Sequence, residues 1–442
     1  MKRPSLLPLL VLVASLAVLA ADRKPEDPKS DDDGFVPMFN GKDLSGWVNV
    51  NCAPGTFFVK DKEIITTGKP TGYLRTEKQY ENFIAEFDWM HIPNKPGEVG
   101  NSGFFVWCDP IPAVGTGYTR GIEVQVLVNL TYKNKKGEIT ATSQGDLFSI
   151  HGAKCVPDRP HAEGWDRCLP SEDHCKGEGE WNHYRVEAND GVIKLTVNGH
   201  TVSGLSKCNP RKGYLALESE GSECHFRNLK IKERPSTDPK AEEIADVAKS
   251  FKSLYDGIHV PGWTPDDKGK DHWQPKDTVL HCDGKGDAKN NQLRNERPYA
   301  SDDNDAEIIV DFRFPEKDAK PCTFTVGEVF RKTSGSGSGS ASRSGPPSDG
   351  EEDRVTLTVT PDGKWSRGDE GSDVPLKPAG QWNRLSATQS GRRLAKPGWS
   401  IAVNGKKLTG SGHSEGVPGA MMLILSPEGE MDFANIFARD FK

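Results

Sequence analysis

The chain has 442 residues, with 57 lysines and arginines against 64 aspartates and glutamates, and therefore a formal charge of −7. A hydrophobic content of 34% with 8% aromatics is typical of a folded protein rather than a disordered one. The acidic balance, without a basic stripe, argues against nucleic acid as a partner. The 46 glycines and 31 prolines favour short strands joined by tight turns over a helical fold.

The first residues predict export. Lys2 and Arg3 precede an apolar run that ends in small residues at Ala20. This pattern indicates a cleavable signal peptide at 1–20, followed by an acidic linker at 21–34. Because the run is short for a bilayer span, we expect no membrane span and a periplasmic or extracellular location.

Nine cysteines in an exported chain predict disulfides, and seven of them lie in the first half. Cys155, Cys168 and Cys175 share one stretch with three histidines, which makes zinc a second option. Because no pair has the Cys-x-x-Cys spacing, we expect disulfides or an ordinary loop there.

A repeat divides the chain into two copies of one domain. The first copy is expected at 35–233, and the second, degenerate copy at 251–442. The linker at 234–250 is expected to contain a short helix, and a glycine- and serine-rich insertion at 334–344 interrupts the second copy. The paired landmarks are Phe35 to Trp47 with Phe251 to Trp263, Trp181-Asn182 with Trp382-Asn383, Asn198-Gly199 with Asn404-Gly405, and Phe226 to Leu229 with Phe433 to Ile436.

Hydrophobic residues in both copies recur with a period of two, which predicts strands. The alternation is clear over 83–89 and 355–359, and partial over 307–312. Asn198-Gly199 and Asn404-Gly405 predict type I′ hairpins, because both central residues of that turn need positive φ. The predicted fold class is all-β, as two tandem β-sandwiches of short antiparallel strands.

One strand of the first copy carries a polar pair. Between residues 121 and 126, valines and isoleucine can enter the core while Glu123 and Gln125 point together to the opposite face. With Tyr118 and Arg120 just before them, these residues would form a floor for a sugar and supply a base. A solvated outer face is the plainer alternative.

Further candidates lie on neighbouring segments. Asn101 and Ser102 belong to an Asn-Ser-Gly turn beside an aromatic strand, which suits a concave site. Glu218 ends a strand in opposite phase to its leucines and would face the same groove as Glu123. His151 follows an apolar strand and is a candidate acid, with a packing role as the alternative.

The second copy lacks these polar motifs. Between Trp263 and Trp382 there is neither an Asn-Ser-Gly sequence nor a Glu-x-Gln strand. We therefore expect the second domain to lack the chemistry of the first.

Together the motifs of the first copy resemble the 3-keto-disaccharide hydrolase domain, a family abundant in exported proteins of planctomycete-like bacteria. The resemblance implies a concanavalin A-like/glucanase jelly roll with its groove on the concave sheet, acting on glycosides oxidised at carbon 3. The segments that carry it are 35–47, 101–103, 121–125, 180–182 and 226–229.

The implied substrate permits elimination followed by hydration. A ketone at carbon 3 acidifies the proton on carbon 2, so a base can remove it and the enolate can expel the group at carbon 1. A divalent cation is a cofactor option, and an exported sugar oxidoreductase would have to supply the keto-sugar. The expected roles are base or metal ligand for Glu123, acid for Glu218 or His151, and sugar binding for Asn101, Ser102, Tyr118, Arg120 and Gln125.

The alternative function is a non-catalytic, lectin-like carbohydrate-binding module, because jelly rolls serve as lectins as readily as enzymes. A tandem lectin gains avidity when both copies bind, and would therefore carry matching polar residues in both grooves. A structural envelope protein is the third option.

Overall fold

The described part of the chain is built almost entirely of antiparallel strands, which confirms the all-β prediction. Its helical turns are two 3-10 turns, Ala241–Glu243 in the linker and Lys270–His272. No helix among these residues has the length and apolarity to cross a membrane. The computed structural model describes residues 33–141, 144–247, 251–260, 262–265, 270–286, 291–295, 305–332, 350–367, 370–390, 398–408 and 417–441.

Three predicted segments lie outside the described residues. They are the signal peptide at 1–20, nearly all of the acidic linker at 21–34, and the glycine- and serine-rich insertion at 334–344.

The described part of the first half contains eighteen strands, most of them in two sheets that pack face to face. In chain order they are β1 (Val36–Pro37), β2 (Trp47–Val50), β3 (Phe57–Lys60), β4 (Glu63–Thr66), β5 (Gly72–Thr76), β6 (Phe83–Ile92), β7 (Gly100–Cys108), β8 (Gly121–Val128), β9 (Tyr132–Lys133), β10 (Ile139–Ala141), β11 (Leu147–Ile150), β12 (Lys154–Pro157), β13 (Arg167–Cys168), β14 (Asn182–Asn189), β15 (Val192–Val197), β16 (His200–Asn209), β17 (Tyr214–Ser219) and β18 (Glu223–Glu233).

We call the sheet with the strand order β13-β11-β8-β7-β17-β5-β2 the front sheet of the first half. Its back sheet has the order β12-β16-β15-β14-β6-β18-β4-β3, with β1 paired to β18. Strands β9 and β10 form a separate two-stranded sheet.

The described part of the second half forms another pair of sheets. Its front sheet has the order β20-β23-β32-β25-β26-β27-β28 and its back sheet β21-β22-β33-β24-β29-β30-β31, with β19 paired to β33. The strands are β19 (Lys252–Ser253), β20 (Trp263–Pro265), β21 (Trp273–Lys276), β22 (Val279–Asp283), β23 (Leu293–Asn295), β24 (Asp305–Arg313), β25 (Cys322–Lys332), β26 (Gly350–Val359), β27 (Lys364–Arg367), β28 (Glu370–Asp373), β29 (Asn383–Ser390), β30 (Gly398–Val403), β31 (Lys406–Lys407), β32 (Val417–Pro427) and β33 (Glu430–Phe441).

Both predicted hairpins are present. Val197 pairs with His200 across Asn198-Gly199, whose φ angles are 48° and 91°. The second hairpin, across Asn404-Gly405, has φ angles of 50° and 78°. Positive φ at both central residues is the requirement of a type I′ turn, so this local prediction is confirmed.

The two halves share specific contacts at their repeated landmarks. Trp47 Nε1 donates to the carbonyl of Met38 at 2.9 Å, and Trp263 Nε1 donates to that of Leu254 at 2.6 Å, nine residues back in each case. The amide of Asn198 likewise donates to a second asparagine, as that of Asn404 does in the other half. The tandem-copy interpretation itself stays a prediction.

Each half has its own hydrophobic core between its two sheets. Phe104, Val124 and Leu217 point from the front sheet into the core of the first half and are fully buried. Burying a side chain of this size contributes roughly 1.5–3 kcal/mol, so the core fixes which residues of these strands face outward.

A third apolar cluster joins the two halves. Phe105 and Tyr214, on the outward face of the first front sheet, pack with Ile309 and Phe437 of the second back sheet. The second half therefore covers part of the face on which the sequence analysis places the candidate site.

The predicted disulfides are not formed in this structure, in which all nine cysteines are free; the ordinary-loop alternative for 155–175 is not contradicted. Eight of them are buried and one is half-buried, so they pack as small apolar side chains. Burial raises the pKa of Cys155 to about 11 and that of Cys175 to about 12, which keeps both as thiols.

Candidate functional site

Three carboxylates meet on the outward face of the first front sheet. Glu123 lies on β8, Glu218 on β17, and Glu220 directly follows β17. Strand alternation places Glu123 and Glu218 on this face because Val124 and Leu217 occupy the core. Glu123 and Glu218 therefore share one face of the sheet, as their phases predict; the groove itself stays a prediction.

Gly103 on β7 separates the two central carboxylates. A Cβ on this glycine would lie 2.9 Å from Oε2 of Glu218 and 3.0 Å from Oε1 of Glu123. The absence of a side chain at this position leaves room for both carboxyl groups above β7. Oε2 of Glu218 is buried and receives no N–H or O–H donor among the described residues, and the Glu218 carboxyl group lies within hydrogen-bond reach of Glu220. A buried carboxyl oxygen without such a donor is rare in a purely structural setting and is typical of a functional site.

The buried carboxylates hold protons near neutral pH. Burial, and then the nearby charge of Glu220, raise the pKa of Glu123 to about 8. Burial, and then the charges of Glu123 and Glu220, raise the pKa of Glu218 well above its usual range. Two neighbouring acids with separated pKa values are the arrangement that supplies both a base and an acid to one reaction.

Glu220 is held by two donors. Tyr118 Oη donates to its Oε1 at 2.6 Å, and Asn101 Nδ2 donates to its Oε2 at 2.5 Å. Gln125 Nε2 donates in turn to Asn101 Oδ1 at 2.9 Å. Burial raises the pKa of Glu220 while the bond from Tyr118 opposes this shift, so Tyr118 supports the negative charge beside the other two carboxylates.

The structure brings together most of the residues predicted from the sequence. Glu123, Glu218, Asn101, Gln125 and Tyr118 form one connected group around Gly103. His151 stacks on the ring of Tyr118, with ring centroids 5.9 Å apart and planes within 8° of parallel. Burial lowers its pKa, so we expect a neutral imidazole at pH 7.

Two predicted residues are placed differently. Ser102 is fully buried and its hydroxyl donates to the backbone carbonyl of Glu218 at 2.8 Å. Its neighbours Asn101 and Gly103 take the outward positions of the strand. Arg120 binds both carboxylate oxygens of Asp109, at 2.7 and 2.9 Å, and so braces the segment between β7 and β8.

Two residues of the site were not predicted from the sequence. Glu220 lies two positions after Glu218, and the i, i+2 spacing was the signal that could have found it. Arg167 lies in the long segment after His151, and its guanidinium stacks 3.8 Å from the centroid of the Phe148 ring. Phe148 is the cross-strand partner of Glu123, so this positive charge lies beside the site and opposes the rise in the Glu123 pKa.

A metal site is not evident in the described part of the chain, where no group of three or more histidine, cysteine, aspartate or glutamate side chains is arranged to hold an ion. The divalent cation considered in the sequence analysis stays untested. Two surface cavities, of about 470 and 330 Å³, lie elsewhere, one beside Trp365 and the other beside Arg211.

The matching positions of the second front sheet carry hydroxyl side chains in place of two acids and an amide. Phe324 lies between Leu357 and Leu425 as Phe104 lies between Val124 and Leu217. By this correspondence, Thr356 is equivalent to Glu123, Thr358 to Gln125 and Ser426 to Glu218.

A comparison with known protein families covers the part of the chain that holds the buried acid pair. Residues 34–232 match the 3-keto-alpha-glucoside-1,2-lyase-like domain. This match supports the family predicted from the sequence and a carbohydrate-active function for this part of the chain. All three carboxylates lie inside the matched residues, and the second half lies outside the match.

Comparisons with other proteins give more distant likenesses. A protein proposed to be a glycosyl hydrolase, from Parabacteroides distasonis, is 22% identical, with 46% of this chain and 95% of that chain covered and a TM-score of 0.35. A carbohydrate-binding module from Bacillus subtilis is 12% identical, with 42% and 96% covered and a TM-score of 0.31. The search of curated proteins gives no match.

Replacement of Gly103 by Ala tests whether the positions of the Glu123 and Glu218 carboxyl groups matter for activity. The strand is extended and accepts alanine, but the new Cβ would displace both carboxyl groups. We expect a loss of about 100-fold in kcat with the fold retained, since misplacement of about 1 Å has this effect. Gly55→Ala is the matched control, because a Cβ there meets nothing within 4 Å. Equal turnover by the two variants would show that the spacing across Gly103 is unimportant.

Proposed function

We propose that the protein cleaves 3-keto-glycosides, such as 3-keto-disaccharides, by elimination and subsequent hydration. The observation that carries the proposal is the pair Glu123 and Glu218, buried on both sides of Gly103 with raised pKa values. It is supported by the position of this pair inside the matched lyase-like domain.

In the first step, Glu123 acts as the general base and Glu218 as the general acid. The ionised form of Glu123 takes the proton from carbon 2, and the electrons of that bond form the enolate of the carbon 3 ketone. The enolate then expels the group on carbon 1, and the proton of Glu218 passes to the departing oxygen. Glu218 suits this task better than His151, because burial keeps its proton in place while His151 is neutral and lies beside Tyr118 at the rim.

Hydration restores both groups. Water adds to the unsaturated sugar, with its hydroxyl at carbon 1, while Glu218 takes back a proton and Glu123 returns one to carbon 2. No oxocarbenium ion forms, so the carboxylate separations of ordinary glycosidases do not apply. The half-buried Asn101 and Tyr118 lie beside the acids and offer groups to the hydroxyls of the sugar.

The function is tested with 3-keto-trehalose and plain trehalose, each with and without a chelator. Loss of the keto-sugar with release of glucose supports the proposal, and deuterium on carbon 2 should slow it. Cleavage of plain trehalose at a similar rate would indicate the oxocarbenium route instead. Saturable binding without turnover would assign the protein to the lectin-like class, and the chelator arm decides whether a divalent cation takes part.

Arg167 supplies the positive charge that an enolate needs. We expect Arg167→Met to lower kcat by about 100-fold, the size of effect seen when one charge-stabilising donor is removed, while Arg167→Lys retains part of the activity. Arg167 pairs with Asp146 at 3.5 Å. Arg227→Met is a matched control on the back sheet, because Arg227 pairs with Asp88 at 3.3 Å and also stacks on an aromatic ring, 3.7 Å from the centroid of that of Trp181. A similar kcat in the two methionine variants would remove Arg167 from the mechanism.

A further inference from the structure

The segment between β7 and β8 is held by hydrogen bonds from the second half of the chain. Asn435 Nδ2 donates to the carbonyls of Ala113 and Thr116, at 3.1 Å each. The amide of Gly115 donates to Asp311 Oδ2 at 2.8 Å, and Arg384 donates to the carbonyl of Pro112 at 2.9 Å. Residues 112–116 are therefore held through their backbone rather than through interchangeable side chains.

The side chains that hold this segment are buried or partly buried and form hydrogen bonds with one another. Asp311 and Asn435 are both fully buried, and Asn435 Nδ2 also donates to Asp311 Oδ2 at 2.7 Å. Arg384 Nε donates to Asp311 Oδ1 at 2.6 Å. A Cβ on Gly115 would lie 2.0 Å from Cγ of Trp382, so the backbone approaches the second half as closely as glycine allows. Buried polar groups with this many bonds define one geometry.

This segment carries a residue of the candidate site. The backbone carbonyl of Tyr118 accepts bonds from the amide of Ala113, at 2.8 Å, and from Oγ1 of Thr116, at 2.9 Å. The phenol of Tyr118 donates to Glu220, and its ring stacks on His151. A continuous path of contacts thus runs from Asn435 through the held segment to the carboxylate cluster.

The first half has a corresponding polar arrangement on its own back sheet, and the described partners of Asp88 there all lie on that sheet. Asp88 accepts bonds from His183, at 2.8 Å, and from Asn228, at 2.7 Å. The register of the two back sheets places these three residues at the positions of Asp311, Arg384 and Asn435.

The neighbouring positions differ in chemistry. Glu86 and Lys230 form an ion pair at 3.2 Å on the first back sheet, and both are partly exposed. The matching positions of the second back sheet carry Ile309 and Phe437, buried against the first half. The replacement of an ion pair by two apolar residues is what a surface buried against another domain requires.

We propose that the second half is a positioning element for the site of the first, in which Asp311, Arg384 and Asn435 hold the segment 112–116 and thereby set Tyr118 against Glu220. In the part of the chain that the structure describes, the bonds of these three side chains go to the held segment and its surroundings and not to Glu123 or Glu218. This inference rests on the proposed function for its kinetic readout, but the held segment is observable without turnover.

The test compares Asn435→Gly with Asn228→Gly in the full chain. Both asparagines have positive φ, 46° and 54°, so glycine fits either backbone, and only Asn435 contacts residues 112–116. In Asn435→Gly we expect faster amide hydrogen exchange across 109–120. We also expect kcat on 3-keto-trehalose to fall about tenfold or more, with KM within about twofold, because Tyr118 is misplaced while the groove remains. Asn228→Gly should match the wild type in all three.

Arg384→Lys, with His183→Lys as its control, covers the case in which Asn435→Gly does not fold. Lysine keeps a positive charge beside the buried Asp311 but lacks the guanidinium fork that bonds both Asp311 and the carbonyl of Pro112, so we expect a smaller change in the same direction. Unchanged exchange across 109–120 would overturn the proposal, and so would faster exchange with an unchanged kcat. If the wild type does not turn over the keto-sugar, the proposed function fails, and the exchange result alone decides whether the second half holds the segment.

Discussion

Glu123→Gln is expected to lower kcat on 3-keto-trehalose by about 1,000-fold, within the range for loss of a general base. Gln keeps the shape of the protonated acid but cannot accept the proton from carbon 2. Because burial raises the pKa of Glu123 to about 8, the wild-type side chain is mostly protonated at pH 7, and Gln resembles this dominant form. The variant should therefore unfold at the same temperature as the wild type or higher.

Loss of activity without loss of stability separates a catalytic role from a structural one. Glu77→Gln is the matched control, because Glu77 is exposed on the same half of the chain, and both its kcat and its unfolding temperature should equal those of the wild type. Unaltered turnover of 3-keto-sugar by Glu123→Gln would eliminate this residue as the base. Reduced turnover together with a markedly lower unfolding temperature would point to a packing role instead.

The strands and the acid pair could be predicted from the sequence because they depend on local alternation. A period of two fixes which residues share a face, so the phases of Glu123 and Glu218 against their apolar neighbours place both on one side of the sheet. The Asn-Gly pairs predicted the hairpins for a similar reason, since φ above zero is a property of the turn itself.

The position of Ser102 was not predicted because the Asn-Ser-Gly sequence indicated a turn. The structure continues β7 through it, from Gly100 to Cys108, and alternation then sends the serine inward. Gly103 serves here not as a turn residue but as a gap beneath two carboxyl groups.

The docking of the second half was also not predicted, although a signal was present. The run Ile308-Ile309-Val310 breaks the alternation of β24, and continuous apolar residues are typical of a strand covered on both faces. Ile308 and Val310 face the core of the second half, while Ile309 packs against the first half. The partner surface is assembled from separate strands, which a linear pattern does not bring together.

The stability of the protein should fall as the pH rises from about 5 to about 8, the reverse of acid denaturation. Glu123 has a folded-state pKa of about 8 against an ordinary value of 4.5, so in this range the folded state binds more protons than the unfolded state. Where the folded state holds the extra proton, the free energy of unfolding decreases with pH, by up to about 1.4 kcal/mol per pH unit for one carboxyl group.

The contribution of Glu123 is isolated by subtraction. Burial gives His91 a lowered pKa, which acts in the opposite direction, and the lowered pKa values of Glu86 and Asp88 reduce stability only at more acidic pH. These groups are common to the wild type and Glu123→Gln. Glu218 and Glu220 also have raised pKa values, and the charge of Glu123 contributes to that of Glu218, so the difference in unfolding free energy reports Glu123 together with its coupling to Glu218. Denaturant titrations should give a difference of about 1 kcal/mol at pH 5 that grows in favour of the variant up to pH 8; a constant difference would mean that Glu123 titrates normally. The base needed to remove the carbon 2 proton is then the same ionised group that burial makes unfavourable in the folded state, which is why a stabilising substitution and loss of activity are expected to coincide at this residue.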